Sequence, residues 1–184
     1  MKSLLLVLFS SCAVTAPLAA RESDPPASLY HLEVALTNQD GVKHGLDVYR
    51  GHPVLITMFY SSCPATCPLI VDTLRATERE LSAAQRTRLR VLMISIDPER
   101  DTPAALRELA DTRHVDTRRW TLARGDAATV RSIAALLNVQ YRKLPSGEFN
   151  HSTVIALLSP AGELEASSAT LGHADAALLA RLNE

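Results

Sequence analysis

Two long apolar segments, one on each side of an amphipathic segment, constrain the fold of this chain most strongly. Residues 53–60 are PVLITMFY and residues 89–96 are LRVLMISI, and both are rich in strand-forming residues. Between them, apolar residues recur at helical spacing after Pro68, a residue that suits the first turn of a helix. This order of strand, helix and strand predicts a βαβ unit with parallel strands and a right-handed crossover.

The segments around this unit extend the prediction to a thioredoxin-like α/β fold with a central mixed sheet, flanking helices and an N-terminal β-hairpin. The hairpin is predicted from residues 30–36 and 42–49, which surround a turn-forming cluster. The other predicted elements are a helix capped by Thr102 and ending near Arg113, a strand at 120–123, a helix capped by Asp126 and ending near Asn138, antiparallel strands at 153–158 and 163–168, and a closing helix at 174–182.

The first twenty residues have the pattern of a secretory signal, with a Lys followed by an apolar run and then small residues. The apolar run, residues 4–9, is far shorter than the roughly 20 residues that a membrane-spanning helix needs. We expect a signal peptide over 1–20, a polar leader over 21–28 and a single domain over 29–184, and therefore a periplasmic protein. The residues before Cys12 loosely resemble a bacterial lipoprotein box, so membrane contact is expected only if Cys12 is lipidated.

The charge distribution gives no support for nucleic acid as a partner. The formal net charge is -1, and the Lys and Arg residues form no cluster along the chain. Because nucleic-acid-binding proteins concentrate positive charge on one face, we expect no nucleic-acid binding.

Cys63 and Cys67 lie where the first apolar strand passes into its helix, an edge at which α/β folds bind ligands. A disulfide between them would close a very short ring and stabilise the fold by about 2 kcal/mol at most, so a purely structural role is disfavoured. Each cysteine precedes a proline, which is expected to keep both thiols out of the helix. The helix dipole is expected to lower the pKa of Cys67. The pair is therefore predicted to be redox-active, metal-binding or both.

The candidate metal donors are two soft sulfur atoms and one imidazole. Thiolates select Cu(I), and an added imidazole gives a three-donor set that can also hold Cu(II), whereas a structural zinc site needs four protein ligands. Copper is therefore favoured over zinc. His151 directly precedes the predicted strand 153–158, which a thioredoxin-like fold places near the cysteine loop. Surface positions are expected for the other histidines, His31, His44, His52, His114 and His173.

Three motifs, in this order, resemble the signatures of the Sco/SenC family. They are residues 59–68, FYSSCPATCP; residues 97–103, DPERDTP; and His151 followed by residues 154–162, VIALLSPAG. The resemblance extends from about Ser28 to the end of the sequence.

The resemblance implies a copper site and a role for it. In the Sco/SenC family two cysteines and a histidine bind copper, which gives Cys63, Cys67 and His151 as ligands of one Cu(I) or Cu(II) ion per chain. Proteins of this family deliver copper to the CuA centre of cytochrome c oxidase or keep the cysteines of that centre reduced. The implied partner is the CuA-bearing subunit or another periplasmic copper protein. Asp97, at the end of the second apolar strand, is a candidate for orienting a ligand or moving a proton.

A second hypothesis uses Cys63 and Cys67 for thiol–disulfide exchange, with copper incidental. The two functions are compatible, because a thiolate pair that binds Cu(I) can also be oxidised to a disulfide. His151 distinguishes them, since disulfide exchange does not require an imidazole. Peroxidase activity is disfavoured because the cysteine loop lacks a Thr-x-x-Cys context. A copper carrier is not a turnover enzyme, so a catalytic role is expected only as thiol–disulfide reductase activity of the cysteine pair.

Overall fold

A computed structural model of the chain describes residues 24–63 and 66–184. The predicted signal peptide over 1–20, with Cys12, lies outside the described residues. Within the described ranges, no helix is both long enough and apolar enough to span a membrane.

The described part of the chain alternates between strands and helices. The strands are β1 Leu36–Asn38, β2 Lys43–His44, β3 Val54–Phe59, β4 Arg90–Ser95, β5 Trp120–Arg124, β6 Tyr141–Lys143, β7 Phe149–His151, β8 Ile155–Leu158 and β9 Leu164–Ser168. The α-helices are α1 Thr66–Glu80, α2 Ala83–Arg88, α3 Pro103–Thr112, α4 Ala127–Leu136 and α5 Ala176–Leu182. Short 3-10 helices cover Leu29–His31 and Leu46–Tyr49.

The main sheet is mixed and has β3 near its centre. Its strand order is β2-β1-β5-β4-β3-β8-β9. Strand β4 is parallel to both β3 and β5, whereas β8 is antiparallel to β3 and to β9. Every residue of β3 is buried, as expected for a strand covered on both faces. The parallel βαβ pairing and the thioredoxin-like fold class predicted from the sequence are confirmed.

Capping hydrogen bonds confirm two predicted helix starts. The Thr102 hydroxyl accepts a hydrogen bond from the N–H of Ala105 at 3.2 Å, and Pro103 is the first residue of α3. The Asp126 carboxylate accepts one from the N–H of Thr129 at 2.7 Å, at the start of α4. Each bond satisfies an N–H group that a helix start otherwise leaves unpaired.

The N-terminal β-hairpin is present, but it is much shorter than predicted. Its strands have three and two residues, whereas the sequence pattern predicts 30–36 and 42–49. A 3-10 helix over Leu46–Tyr49 replaces most of the second strand. Leu46 and Tyr49 are both buried and lie three residues apart, which is one turn of a 3-10 helix. The apolar spacing that suggests a strand therefore arises from a tight helical turn.

Two elements were not predicted from the sequence, α2 and the β6–β7 hairpin. Helix α2 has no buried residue and so carries no apolar periodicity; a capping box between Ser82 and Gln85 starts it. Strands β6 and β7 pair only with each other and have three residues each. In the turn between them, Gly147 adopts a φ of 87°, a conformation that favours glycine.

A polar cluster joins α1 to the start of β5. Glu78 is 7% exposed and accepts hydrogen bonds from the indole N–H of Trp120 at 3.1 Å and from the guanidinium of Arg119. Trp120, Met58 and Met93 are each 1% exposed and belong to the core. Because Glu78 supplies the acceptor for two donors, the packing of α1 on β5 depends on this carboxylate.

We predict that Glu78→Ala lowers the free energy of unfolding by about 2 kcal/mol, because the Trp120 indole loses its buried acceptor. Urea unfolding followed by circular dichroism measures the change. Glu80→Ala is the matched control, since Glu80 is exposed on the same helix, and it should change stability by less than about 0.5 kcal/mol. Equal losses in the two variants would contradict the prediction.

Candidate functional site

Cys63 and Cys67 lie at the carboxyl end of β3, where the chain turns into α1. They are 9% and 5% exposed. The backbone N–H of Cys63 and the thiol of Cys67 both donate to the carbonyl of Tyr60, each at 3.2 Å. The two thiols are also in hydrogen-bond contact with each other. The Tyr60 carbonyl therefore accepts a hydrogen bond from each cysteine, from the backbone of Cys63 and from the sulfur of Cys67.

The position of Cys67 relative to the helix differs from the prediction. Helix α1 begins at Thr66, so Cys67 lies inside its first turn and Pro68 does not keep the thiol out of the helix. A proline is tolerated here because the first N–H groups of a helix have no partner within the helix.

The predicted lowering of the Cys67 pKa is also wrong. Burial raises the pKa of this thiol, and the neighbouring Cys63 and Asp101 act in the same direction. Desolvation shifts the pKa of a buried group by more than the dipole of one helix terminus does. In the metal-free protein the Cys67 thiol is therefore protonated at neutral pH.

Tyr60 lies between the cysteine pair and the β6–β7 hairpin. Its ring is buried and meets the imidazole of His151 edge-on, with the ring centroids 5.8 Å apart. The ring of Phe149 packs on it from the same hairpin, at 5.4 Å between centroids. Its hydroxyl lies beside the Cys63 thiol and the backbone of Phe149, and burial raises the pKa of this phenol. Tyr60 thus contacts both elements that carry predicted donors.

His151 is the last residue of β7 and is half-buried. Its Nδ1 lies 3.1 Å from the carbonyl oxygen of Ser152. Because a carbonyl only accepts hydrogen bonds, this contact places the proton on Nδ1 and leaves the lone pair on Nε2 for a ligand. A polar cleft of about 440 Å³ lies beside the imidazole, between β6 and β7.

The structure brings the two cysteines together, whereas His151 contacts the Tyr60 ring from the β6–β7 hairpin. No three His, Cys, Asp or Glu side chains within residues 24–63 and 66–184 are grouped closely enough to hold a metal ion. The three-residue ligand set therefore stays a prediction, and completing it requires the hairpin to bring His151 closer to the cysteines.

Asp97 follows β4 and is almost fully buried. Its carboxylate makes no hydrogen bond to the predicted copper ligands among the described residues. Its carboxylate accepts a hydrogen bond from the guanidinium of Arg100, with which it forms an ion pair. Arg100 is therefore a salt-bridge partner of Asp97. The proposed effect of Asp97 on the site can act only through Arg100 or through the backbone.

Asp101 contacts the cysteine loop, a role that the sequence analysis did not assign to it. Its carboxylate accepts hydrogen bonds from the N–H of Ser61 at 3.0 Å and from the hydroxyls of Ser61 and Ser95. Asp101 is 1% exposed. Its position four residues after Asp97, at the same sheet edge, is the signal that could have identified it. Tyr60 was missed too, although it directly precedes the cysteine loop.

Comparison with known proteins identifies a family for the whole described chain. A model of the SCO1/SenC family matches residues 23–183. The protein SCO2 homolog, mitochondrial, of Bos taurus is 32% identical over 120 residues, which make up 62% of this chain and 44% of that protein. The chain thus spans less than half the length of this relative.

Solved structures support the same relationship. ScoI of Bradyrhizobium japonicum, solved with copper bound, is 25% identical with a TM-score of 0.63, covering 82% of this chain and 95% of that one. A SCO1/SenC family lipoprotein of Bacillus anthracis shares the fold with a TM-score of 0.70 at 21% identity, covering 83% of this chain and 95% of that one. Because the family model spans almost all of the described residues, this chain belongs to the SCO1/SenC family.

Proposed function

We propose that this chain is an exported copper-binding protein that carries one copper ion on Cys63, Cys67 and His151. Its client is the CuA centre of cytochrome c oxidase, to which it delivers copper or whose cysteines it keeps reduced. The observation that carries the proposal is the pair of buried thiols in mutual contact at the end of β3. Membership of the SCO1/SenC family and the copper-bound ScoI of Bradyrhizobium japonicum support copper as the ligand.

The environment of the thiol pair suits a soft cation. Burial and the nearby Asp101 carboxylate oppose a free thiolate at Cys67 and raise its pKa. A bound Cu(I) ion supplies the positive charge that two buried thiolates need, and its binding releases the thiol protons. The two sulfur donors of this loop therefore suit Cu(I), although the Cys67 thiol is protonated in the metal-free protein.

His151 would complete the site from a separate element. Its Nδ1 faces the Ser152 carbonyl, so Nε2 is the atom available to the cargo ion. The cysteines are fixed to the main sheet, whereas the imidazole belongs to a two-stranded hairpin. Movement of the hairpin can therefore add or withdraw His151 without unfolding the cysteine loop. A copper ion with fewer than four protein ligands keeps a coordination position for an incoming thiolate of the client.

Thiol–disulfide exchange is the second candidate function, and the contact between the two thiols favours it. A disulfide of a partner protein would accept two electrons and two protons and become two thiols, while Cys63 and Cys67 become a disulfide. This reaction is how the chain would reduce the cysteines of a client. It does not use His151, which separates it from copper delivery.

The first prediction concerns the ligand set. The reduced protein should bind about one copper per chain and, as Cu(II), show a sulfur-to-copper charge-transfer absorption. His151→Ala should weaken Cu(II) binding by more than about 10-fold, because losing a ligand costs at least as much as losing a group that orients one. His173→Ala, at an exposed histidine, is the control and should bind as the parent does. Full Cu(II) affinity in His151→Ala would refute the assignment.

The second prediction concerns redox state. Mild oxidation of the metal-free protein should produce a reversible disulfide between Cys63 and Cys67, because their thiols are already in contact. Copper should then bind only after reduction, since the disulfide removes both thiolate ligands. Mass spectrometry of alkylated protein counts the thiols, and metal analysis counts the copper. Two free thiols after oxidation would exclude the exchange function.

The third prediction concerns the client. Deleting the gene should lower cytochrome c oxidase activity when copper is scarce, and added copper should partly restore it, because mass action can replace a delivery step. Oxidase activity and copper content, measured across a copper series, test this. Intact oxidase together with an accumulation of misoxidised exported proteins would favour thiol exchange as the main function.

A further inference from the structure

Residues 97–101, the loop between β4 and α3, hold both parts of the proposed site. At one end of this loop, Asp101 binds the N–H and the hydroxyl of Ser61, two residues before Cys63. At its centre, Glu99 and Arg100 bind the β6–β7 hairpin, which carries His151. One short loop therefore contacts both the segment that carries the thiols and the hairpin that carries the imidazole.

Arg100 makes the bridging contact to the hairpin. Its Nε donates to the carboxylate of Asp97, and its Nη2 donates to the carbonyl oxygen of Gly147 at the hairpin tip. Asp97 is 1% exposed, and its own N–H donates to the Ser95 hydroxyl at 2.9 Å, so this end of the bridge is fixed to the sheet. The guanidinium also lies close to the Gly147 Cα, because a Cβ built there would be 3.6 Å from Nη1.

The other attachments of the hairpin to this loop are weaker. Lys143 and Glu99 form an ion pair at 2.9 Å, but their side chains are 48% and 79% exposed, and such pairs contribute little. A cleft of about 360 Å³ separates the hairpin residues Tyr141 and Phe149 from the ends of β4 and β5. Strands β6 and β7 make no pairing with the main sheet. The Arg100 bridge is thus the polar attachment at the hairpin tip, while Tyr141 and Phe149 pack on the core and His151 contacts the Tyr60 ring.

The geometry points to Arg100 as a positioning residue that, through Asp97 and Gly147, keeps the β6–β7 hairpin beside the cysteine loop, the position from which a movement of the hairpin brings His151 to the cysteine pair. This inference rests on the proposed copper-binding function. The carboxylate of Asp101, and not the guanidinium of Arg100, binds the cysteine loop at Ser61, so removing the Arg100 side chain leaves that contact in place. Loss of the Arg100 side chain therefore affects copper binding that needs His151 and spares binding that needs only the two thiolates.

The test compares Cu(II) and Cu(I) binding by competition titration in Arg100→Ala, His151→Ala and the double variant. Arg100→Ala should weaken Cu(II) binding by about 10-fold or more and shift its charge-transfer band, while Cu(I) affinity stays within about threefold of the parent. The double variant should bind Cu(II) no more weakly than His151→Ala alone, because Arg100 acts through the imidazole. Parental Cu(II) affinity in Arg100→Ala, or additive losses in the double variant, would overturn the inference.

Three further variants separate positioning from general destabilisation. Arg100→Lys keeps the charge but cannot bind Asp97 and Gly147 with a planar fork, so its Cu(II) affinity should be intermediate. Asp97→Asn combined with Arg100→Ala avoids leaving a buried carboxylate unpaired and should match Arg100→Ala. Arg118→Ala removes a guanidinium that is 88% exposed and pairs with Asp116, and it should bind both ions as the parent does.

A metal-free measurement distinguishes failure of this inference from failure of the proposed function. Hydrogen exchange of the segment 140–152 should be several-fold faster in Arg100→Ala than in the parent, because the hairpin loses its bridge. Exchange of the cysteine loop should not change. If His151→Ala has no effect on Cu(II) binding, the proposed ligand set fails. In that case the hydrogen-exchange measurement by itself decides whether Arg100 holds the hairpin. Unchanged exchange of segment 140–152 would overturn the inference.

Discussion

The hydrogen-bonding requirement of one buried carbonyl group, that of Tyr60, organises the site. Tyr60 follows the fully buried strand β3, and it is itself 4% exposed. A buried carbonyl without a partner costs about 1–3 kcal/mol, so the chain must supply a donor close by. The N–H of Cys63 and the thiol of Cys67 supply two. Satisfying this carbonyl therefore fixes the backbone of Cys63 and the sulfur of Cys67 at the end of β3.

Local chemistry made much of the fold predictable. The apolar runs of β3 and β4 are long enough to indicate buried strands, and Thr102 and Asp126 are caps whose bonds are made within three residues. The β6–β7 hairpin was not predictable in this way. Its strands are too short to show alternation, and it is held by Arg100, which is 47 residues from Gly147 in sequence. A contact between residues so far apart in sequence cannot be detected from the local spacing of apolar residues.

The position of the cysteine pair was predictable from the sequence, whereas its electrostatics were not. The strand-to-helix position of Cys63 and Cys67 follows from pattern alone, and the structure places their thiols in contact. The direction of the Cys67 pKa shift depends on how deeply the thiol is buried and on Asp101, and both are tertiary properties. The helix dipole is a local effect, visible in sequence, and burial outweighs it here. The role of Asp101 could not be predicted for a related reason. Asp101 lies just before α3, and in the sequence this position indicates only the start of a helix.

The contact between Arg100 and Gly147 has a consequence for how this surface can diverge among descendants of the chain. Arg100 recognises a main-chain oxygen at the hairpin tip, so a neighbouring side chain such as that of Pro145 can change without altering this bond. The number of residues in the turn is not free, because an insertion would carry the carbonyl of Gly147 out of reach. The residue types in the turn can therefore change during evolution, but the number of residues in the turn cannot.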